Sequence, residues 1–326
     1  MSVSQYARAS DTGKKRRRNE DSFVVAPPLF AVADGMGGAQ AGEVASKLAA
    51  AALEELEPGG ESASETVTAL IQEANRRVYE RAASDPSTSG MGTTMTVAIV
   101  EGNAVTIGHV GDSRAYVVRD GKLEQLTEDH SLVNELLKSG KLSREEAEIH
   151  PQRSVITRAV GTDPDVDVDA FTVTAREGDI FVLCSDGLTD MVSDEDILDT
   201  VERHRDDLDR VTKSLVSAAN RGGGEDNITV VAFQIADEGD ETMRMPAQEA
   251  AADDDTLEHV LAAPPVDTMV VPPDQVPQVF VEPGSPEAAE ITRREPITPA
   301  ARVRLVLTML VLLGIAAVLL VVGLTR

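Results

Sequence analysis

Apolar positions along this chain fall into short strand-like runs, two helical stretches near the start, and one long uninterrupted block near the end. Leu29-Phe30-Ala31-Val32-Ala33 is long enough for one buried strand, and it stops abruptly at Asp34, followed by Gly35, Met36, Gly37 and Gly38. A packed strand holds the carboxylate at its end in place, and the glycines let backbone come close to a ligand. Gly42–Glu57 and Ser64–Ala83 have helical spacing, with Val67, Leu70, Ile71, Ala74 and Val78 on one face of the second. A strand-rich block follows: Thr93–Val100, Ala104–Val110, Ser113–Arg119 and Lys122–Leu126, the last two joined by the hairpin pair Asp120-Gly121. Sequential strands with short turns predict antiparallel sheet. Residues 128–160 are polar and broken, with short helices expected at Leu132–Ser139 and Arg144–Glu148. A strand is expected at Val166–Val173. Asp179–Cys184 then repeats the opening device, an apolar run ending in Ser185-Asp186-Gly187. Helices at Asp194–His204 and Leu208–Arg221 lead through Gly222-Gly223-Gly224 and Glu225-Asp226-Asn227 to a last strand, Ile228–Ile235.

Beyond residue 236 the pattern changes. Residues 237–301 hold ten of the 16 prolines among acids and alanines with little periodicity, the composition of a disordered linker. Residues 302–326 contain Leu305–Leu324, an uncharged run long enough to cross a bilayer as a helix. Arg293, Arg294, Arg302 and Arg304 precede that span and only Arg326 follows it. The expectation is a single-pass, tail-anchored protein of the cell membrane with residues 1–236 as a cytoplasmic domain.

Charge sharpens this division. The net charge is −26, with −17 in residues 1–236, −12 in 237–300 and +3 in the remainder. Such an acidic surface excludes general nucleic-acid binding, which needs cations against phosphates. It suits a protein that collects divalent cations. The single Cys184 excludes an internal disulfide framework and, lying in an apolar run without a basic neighbour, reads as core packing. The basic run Lys14–Arg18 abuts Asn19-Glu20-Asp21 and is placed to sit over an anion site.

The chemistry lies in acids that recur at strand ends: Glu20-Asp21, Asp34, Asp112, Asp186 and Glu225-Asp226. A sheet that gathered them would crowd like charge, and divalent cations relieve it. Ligation by oxygen alone points to magnesium or manganese rather than zinc. Two such ions can activate a water for attack on phosphorus. The five histidines show no ligand pattern. His109 reads as structural, His130 and His150 flank the polar segment, and His204 and His259 read as surface residues.

Taken in order, Arg16-x-x-Asn19-Glu20-Asp21, Ala33-Asp34-Gly35-Met36-Gly37-Gly38, Met91-Gly92-Thr93-Thr94, His109-Val110-Gly111-Asp112-Ser113-Arg114, Ile156-Thr157-Arg158-Ala159-Val160-Gly161, Ser185-Asp186-Gly187 and Asp226-Asn227-Ile228-Thr229 resemble the metal-dependent protein phosphatase family (PPM, type 2C), specifically its bacterial serine/threonine members. The resemblance covers about residues 5–235. It implies an α+β fold, a four-layer α-β-β-α sandwich of two antiparallel sheets with metals in a channel at one edge. It also implies a phosphatase that hydrolyses phosphoserine and phosphothreonine with a two-metal-activated water, opposing cytosolic Ser/Thr kinases at the membrane. Its partners would be phosphorylated proteins, kinases and their substrates among them. By motif match Asp34 bridges two manganese or magnesium ions, Gly35 offers its carbonyl, Asp21 binds one ion, and Asp186 and Asp226 complete the other shell. Asp112 matches the residue that, with Asp186, holds a third ion, and Arg16 matches the phosphate-binding arginine. Arg18, two residues on, shares a face with Arg16 in extended chain and is expected to assist. Segment 128–160 corresponds to a mobile flap. Met36 departs from relatives that carry histidine there as a proton donor, and a water on the third ion beside Asp112 is the candidate replacement.

Overall fold

Alternating burial along the central strands decides the layering. In β5 (Met95–Glu101) and β6 (Ala104–Val110), joined by a two-residue turn, both faces are buried, so helices must cover one side and a second sheet the other. The computed structural model describes residues 1–37, 41–55, 62–237 and 269–270. One sheet runs in the order β10 (Asp169–Thr174), β6, β5, β3 (Leu29–Met36), β2 (Asp21–Ala26). The other runs β1 (Ser2–Asp11), β12 (Ile228–Ala236), β11 (Ile180–Cys184), β7 (Arg114–Arg119), β8 (Lys122–Gln125). Every pairing within these two ladders is antiparallel; the two-residue β4 (Gly92–Thr93) pairs with the end of β3, and the single turn α5 (Asp186–Thr189) follows β11.

Three apolar layers hold the stack. Helices α1 (Ala41–Glu55) and α2 (Ala63–Ser84) lay Ala45, Ala49, Leu70, Ile71 and Val78 on the first sheet. Helix α2 packs closely over Gly108, where an added Cβ would stand 2.6 Å from Val67. Between the sheets, Phe30, Phe181 and Phe233 stack face to face, their centroids 4.3 and 5.1 Å apart. Helices α6 (Asp194–Arg203) and α7 (Leu208–Gly222) bury Ile197, Val201, Leu208, Val211 and Leu215 against the second sheet. The four layers expected from the resemblance are therefore present.

Local signals explain the boundaries. Ser62, Ser193 and Asp207 cap α2, α6 and α7 through side-chain oxygens that accept backbone N–H groups. Asp120 and Gly121 both take positive φ, 51° and 69°, as the β7–β8 hairpin requires. The polar segment carries α3 (Leu132–Lys138), α4 (Arg144–Glu148, with a Ser143/Glu146 capping box) and β9 (Val155–Ile156), beside which Met269–Val270 runs parallel. Strands β1 and β2 are additions to the sequence reading. The strand expected at Val166–Val173 begins three residues later, because Val166 and Val168 pack on α2's layer before pairing with β6 starts at Asp169. Among the described residues no helix is long and apolar enough to cross a membrane. The expected span Leu305–Leu324, the linker residues other than 237, 269 and 270, and Gly38 lie outside the described residues.

Candidate metal centre

Antiparallel pairing places the end of one strand beside the start of the next, and that rule assembles the site at one edge of both sheets. Asp21 opens β2 and lies directly opposite Asp34 near the end of β3. Cys184 at the end of β11 pairs with Val230 near the start of β12, so Asp186 and Asp226 meet at the same edge. Cys184 also pairs with Arg114, which brings in Asp112. Asp11 pairs with Ile228, so the chain leaving β1 carries Arg16 over this edge. All seven sequence-predicted site residues converge here.

Hydrogen bonds fix the acids' backbones. Asp34 N donates to Thr94 Oγ1 at 2.9 Å, while its carbonyl accepts from Thr94 N (2.8 Å) and Thr93 Oγ1 (2.7 Å). Thr94 Oγ1 also meets Ser113 Oγ at 2.7 Å, joining the Asp34 strand to the loop that bears Asp112. Ser185 Oγ donates to Asp21 Oδ2 (2.8 Å) and accepts from Thr229 N (3.0 Å). Asn227 accepts from Glu20 N (2.7 Å) and donates to the carbonyls of Thr12 and Arg18, which pins the arm bearing Arg16. Arg16 Nη2 binds Asp226 Oδ2 at 2.7 Å. Arg18 is half exposed and lies 3.7 Å from Glu43, and residues 17–18 bend, so the extended chain on which a shared face with Arg16 was expected is not formed. Gly35 is needed for close approach: an added Cβ would lie 2.1 Å from the Gly42 carbonyl oxygen of α1. The structural roles of Thr94, Ser185 and Asn227 were invisible from their types, although each sits in a quoted motif.

Charge crowding is the site's physical signature. Burial, then repulsion from Asp21, Asp186, Asp226 and Asp112, pushes the Asp34 carboxyl well above its usual range. Asp186 moves the same way through burial and through Asp112 and Asp226. Burial lifts Asp21 to about 6, opposed by bonds from Thr229 and Ser185, and lifts Asp112 to about 7, with Asp129 and Asp190 adding and Arg114 opposing. Asp21 Oδ1, Asp112 Oδ1 and Asp186 Oδ1 are buried without a hydrogen-bond partner. Three orphaned carboxylate oxygens and an all-oxygen donor set fit hard divalent cations. Among the described residues no three acid, histidine or cysteine side chains gather closely enough to hold one ion by themselves. Water and the Gly35 carbonyl would supply the remaining oxygen ligands that hard cations take.

The segment 128–160 closes on this edge through His130. Its N–H donates to the Gly111 carbonyl (2.7 Å), and its Nδ1 accepts the Gly111 N–H (3.0 Å), a reciprocal clamp on the residue before Asp112. The proton then sits on Nε2, which donates to Asp169 Oδ2 at 3.1 Å, while Arg158 holds the other oxygen at 2.6 Å. His109 lies 4.7 Å away ring to ring, fully buried, its pKa pushed by burial and by His130 down to about 3. It is structural, as expected. Met36 is 5% exposed and clusters with Ile156 and Ala159 of the same segment, so it packs there. Cys184 is fully buried and its thiol is pushed up to about 12, consistent with packing.

A two-sheet sandwich with converging acids at one edge defines a class, and comparison with known proteins gives the family. The sequence profile described as Protein phosphatase 2C matches residues 14–222. The chain belongs to that family, the metal-dependent protein phosphatases. It is 42% identical over 262 residues to the serine/threonine protein phosphatase PstP of Mycobacterium tuberculosis, a match covering 78% of this chain and 50% of that protein. The chain thus spans about half the length of the mycobacterial relative. Against the serine/threonine phosphatase stp of Listeria welshimeri the identity is 42% over 233 residues, 68% of this chain and 92% of the relative. The PstP catalytic domain in complex with two manganese ions superposes with a TM-score of 0.65 at 40% identity, covering 71% of this chain and 98% of that one.

Proposed function

We propose that the chain is a manganese- or magnesium-dependent protein serine/threonine phosphatase, hydrolysing phosphoserine and phosphothreonine in proteins and opposing cytosolic Ser/Thr kinases. The observation that carries this reading is the convergence of Asp21, Asp34, Asp112, Asp186 and Asp226 at one sheet edge, three of them with orphaned buried oxygens. Asp34, which feels repulsion from every other member, would contribute to holding two ions. Asp21 and the Gly35 carbonyl would serve one of them, Asp186 and Asp226 the other, and Asp112 with Asp186 would hold a third. When bound, the ions supply the acidity that makes water a nucleophile and positive charge opposite the phosphoryl oxygens.

The chain's own residues do the rest. Arg16, held over the edge by Asn227's grip on its arm, swings between Asp226 and the equatorial phosphoryl oxygens, whose charge its fork of donors matches. Thr93 and Thr94 keep Asp34 from shifting as charge moves. The His130 clamp sets the position of Asp112. Met36 has no proton to give, so protonation of the leaving serine or threonine oxygen falls to the Asp112 side of the site. The acidic residues 237–301 act as a linker and Leu305–Leu324 as the membrane anchor, which places the catalytic domain at the cytoplasmic face.

The full chain should hydrolyse p-nitrophenyl phosphate only with added manganese or magnesium, and Asp34→Ala should abolish turnover. Undiminished turnover in Asp34→Ala ends the two-ion reading.

A further inference from the structure

The groove between α6 and α7 is cationic on an otherwise acidic domain, and it is separate in sequence from the basic run Lys14–Arg18. Arg203, His204, Arg210, Lys213 and Arg221 line an open cleft of about 540 Å³, together with the acids Asp207 and Asp209. The domain around it has a net charge of −17. Arginines elsewhere are mostly matched: Arg76, Arg77, Arg81, Arg114 and Arg119 each hold a carboxylate, as does Arg205 beside the groove. Arg203 and Arg210 form no ion pair among the described residues. Asp207 is already committed to capping α7, accepting the Arg210 N–H at 3.0 Å. Arg210, Ser214, Ser217 and Arg221 recur at helical spacing, so the cationic lining extends roughly 16 Å along the helix.

We propose that this groove docks the chain's own acidic segment, residues 237–258. Two independent features select that occupant. The first is charge: the segment holds nine acids and one arginine, Arg244. The second is where the chain leaves the fold. Arg205 Nη2, in the turn between α6 and α7, donates to the Gly178 carbonyl at 2.6 Å. Gly178 N in turn donates to the Ile235 carbonyl at 2.8 Å. The mouth of the groove therefore abuts the end of β12, from which exposed Asp237 continues. A tether this short gives an effective concentration on the order of millimolar, enough for a modest electrostatic contact to persist. The acids of the metal centre lie at the other end of β12, so docking leaves the chemistry untouched. It fixes instead the direction in which the linker departs.

The full chain, mixed as ¹⁴N and ¹⁵N forms, is treated with a zero-length carbodiimide, and the joined peptides are read by mass spectrometry. The expected product joins Lys213 to an acid within 237–258 of the same chain. Its yield should fall roughly tenfold in about 1 M NaCl and in the double variant Arg203→Glu/Arg210→Glu. Turnover of p-nitrophenyl phosphate should stay at the wild-type level in that variant, which reports that it folds. Lys213 joined only to Asp207 or Asp209, a product insensitive to both salt and charge reversal, or ¹⁴N–¹⁵N products showing a second copy in the groove would each overturn the proposal.

Discussion

His130 offers a perturbation whose two halves separate. His130→Ala removes the acceptor for the Gly111 N–H and the donor to Asp169 together, and leaves a hole beside the His109 ring. The residue is 8% exposed, so water does not freely replace what is lost. A stranded buried N–H costs about 1–3 kcal/mol, and the missing imidazole adds a packing loss of similar size. Stability should fall by about 3 kcal/mol in urea unfolding. His130→Asn puts a carbonyl oxygen close to where Nδ1 stood, restoring the acceptor for Gly111 while still losing Asp169. Because Gly111 precedes Asp112, the restored bond should appear in catalysis as well as stability. About 1.4 kcal/mol of lost positioning corresponds to a tenfold fall in kcat. Under saturating manganese, kcat for p-nitrophenyl phosphate should be roughly tenfold lower in the Ala variant than in Asn, with KM changing little. Two folded variants with equal kcat would refute the claim that the Gly111 bond positions Asp112.

Other predictions follow from the same geometry. His109 is neutral in the fold, with a pKa near 3, and titrates at its ordinary value of 6.5 when unfolded. The unfolded state therefore binds more protons between these values, and stability contributed by neutral His109 is present above pH 6.5 and lost as pH falls. Compared with His109→Gln, whose carboxylates are the same, the wild type should lose about 2 kcal/mol of relative stability from pH 6.5 to pH 5 in urea titrations; a constant difference would contradict it. Arg16→Ala should lower kcat/KM roughly a hundredfold with an unchanged melting curve, since among the described residues its side chain bonds Asp226 alone, at the rim; a change under twofold would remove it from phosphate binding. Thr94→Val strands the Asp34 N–H and breaks the link to Ser113, so it should cost about 1–3 kcal/mol in urea unfolding and depress kcat.

How far the sequence led depends on the kind of force that shapes each part. Strands with both faces buried, such as Ala104–Val110, and helices with an apolar stripe announce themselves locally, and their observed limits fall within two residues of the expected ones. Strand β1 did not, because it lies at a sheet edge where Ala7 is its single buried residue, and backbone pairing with β12 rather than side-chain burial holds it. Val166 and Val168 misled in the opposite way: hydrophobicity reports burial, and Val166 is buried and Val168 half-buried without belonging to the strand. Asp34 and Asp186 were legible because an apolar run ending in Asp-Gly is a local pattern. That Asp34 faces Asp21 was not, since register is set by the β2–β3 turn and by which face reaches the core. The polar neighbours show the limit most clearly. Asn227 reaches Glu20 across 207 positions, and Ser185 reaches Asp21 across 164. Nothing in an isolated asparagine or serine encodes such a partner; only the closing of two antiparallel sheets at a common edge brings them together. The chemistry of the site is thus written in short runs, while its geometry is a property of topology. For that reason variants of Thr94, His130 and Asn227, which touch no substrate, are the sharper tests of how this edge works.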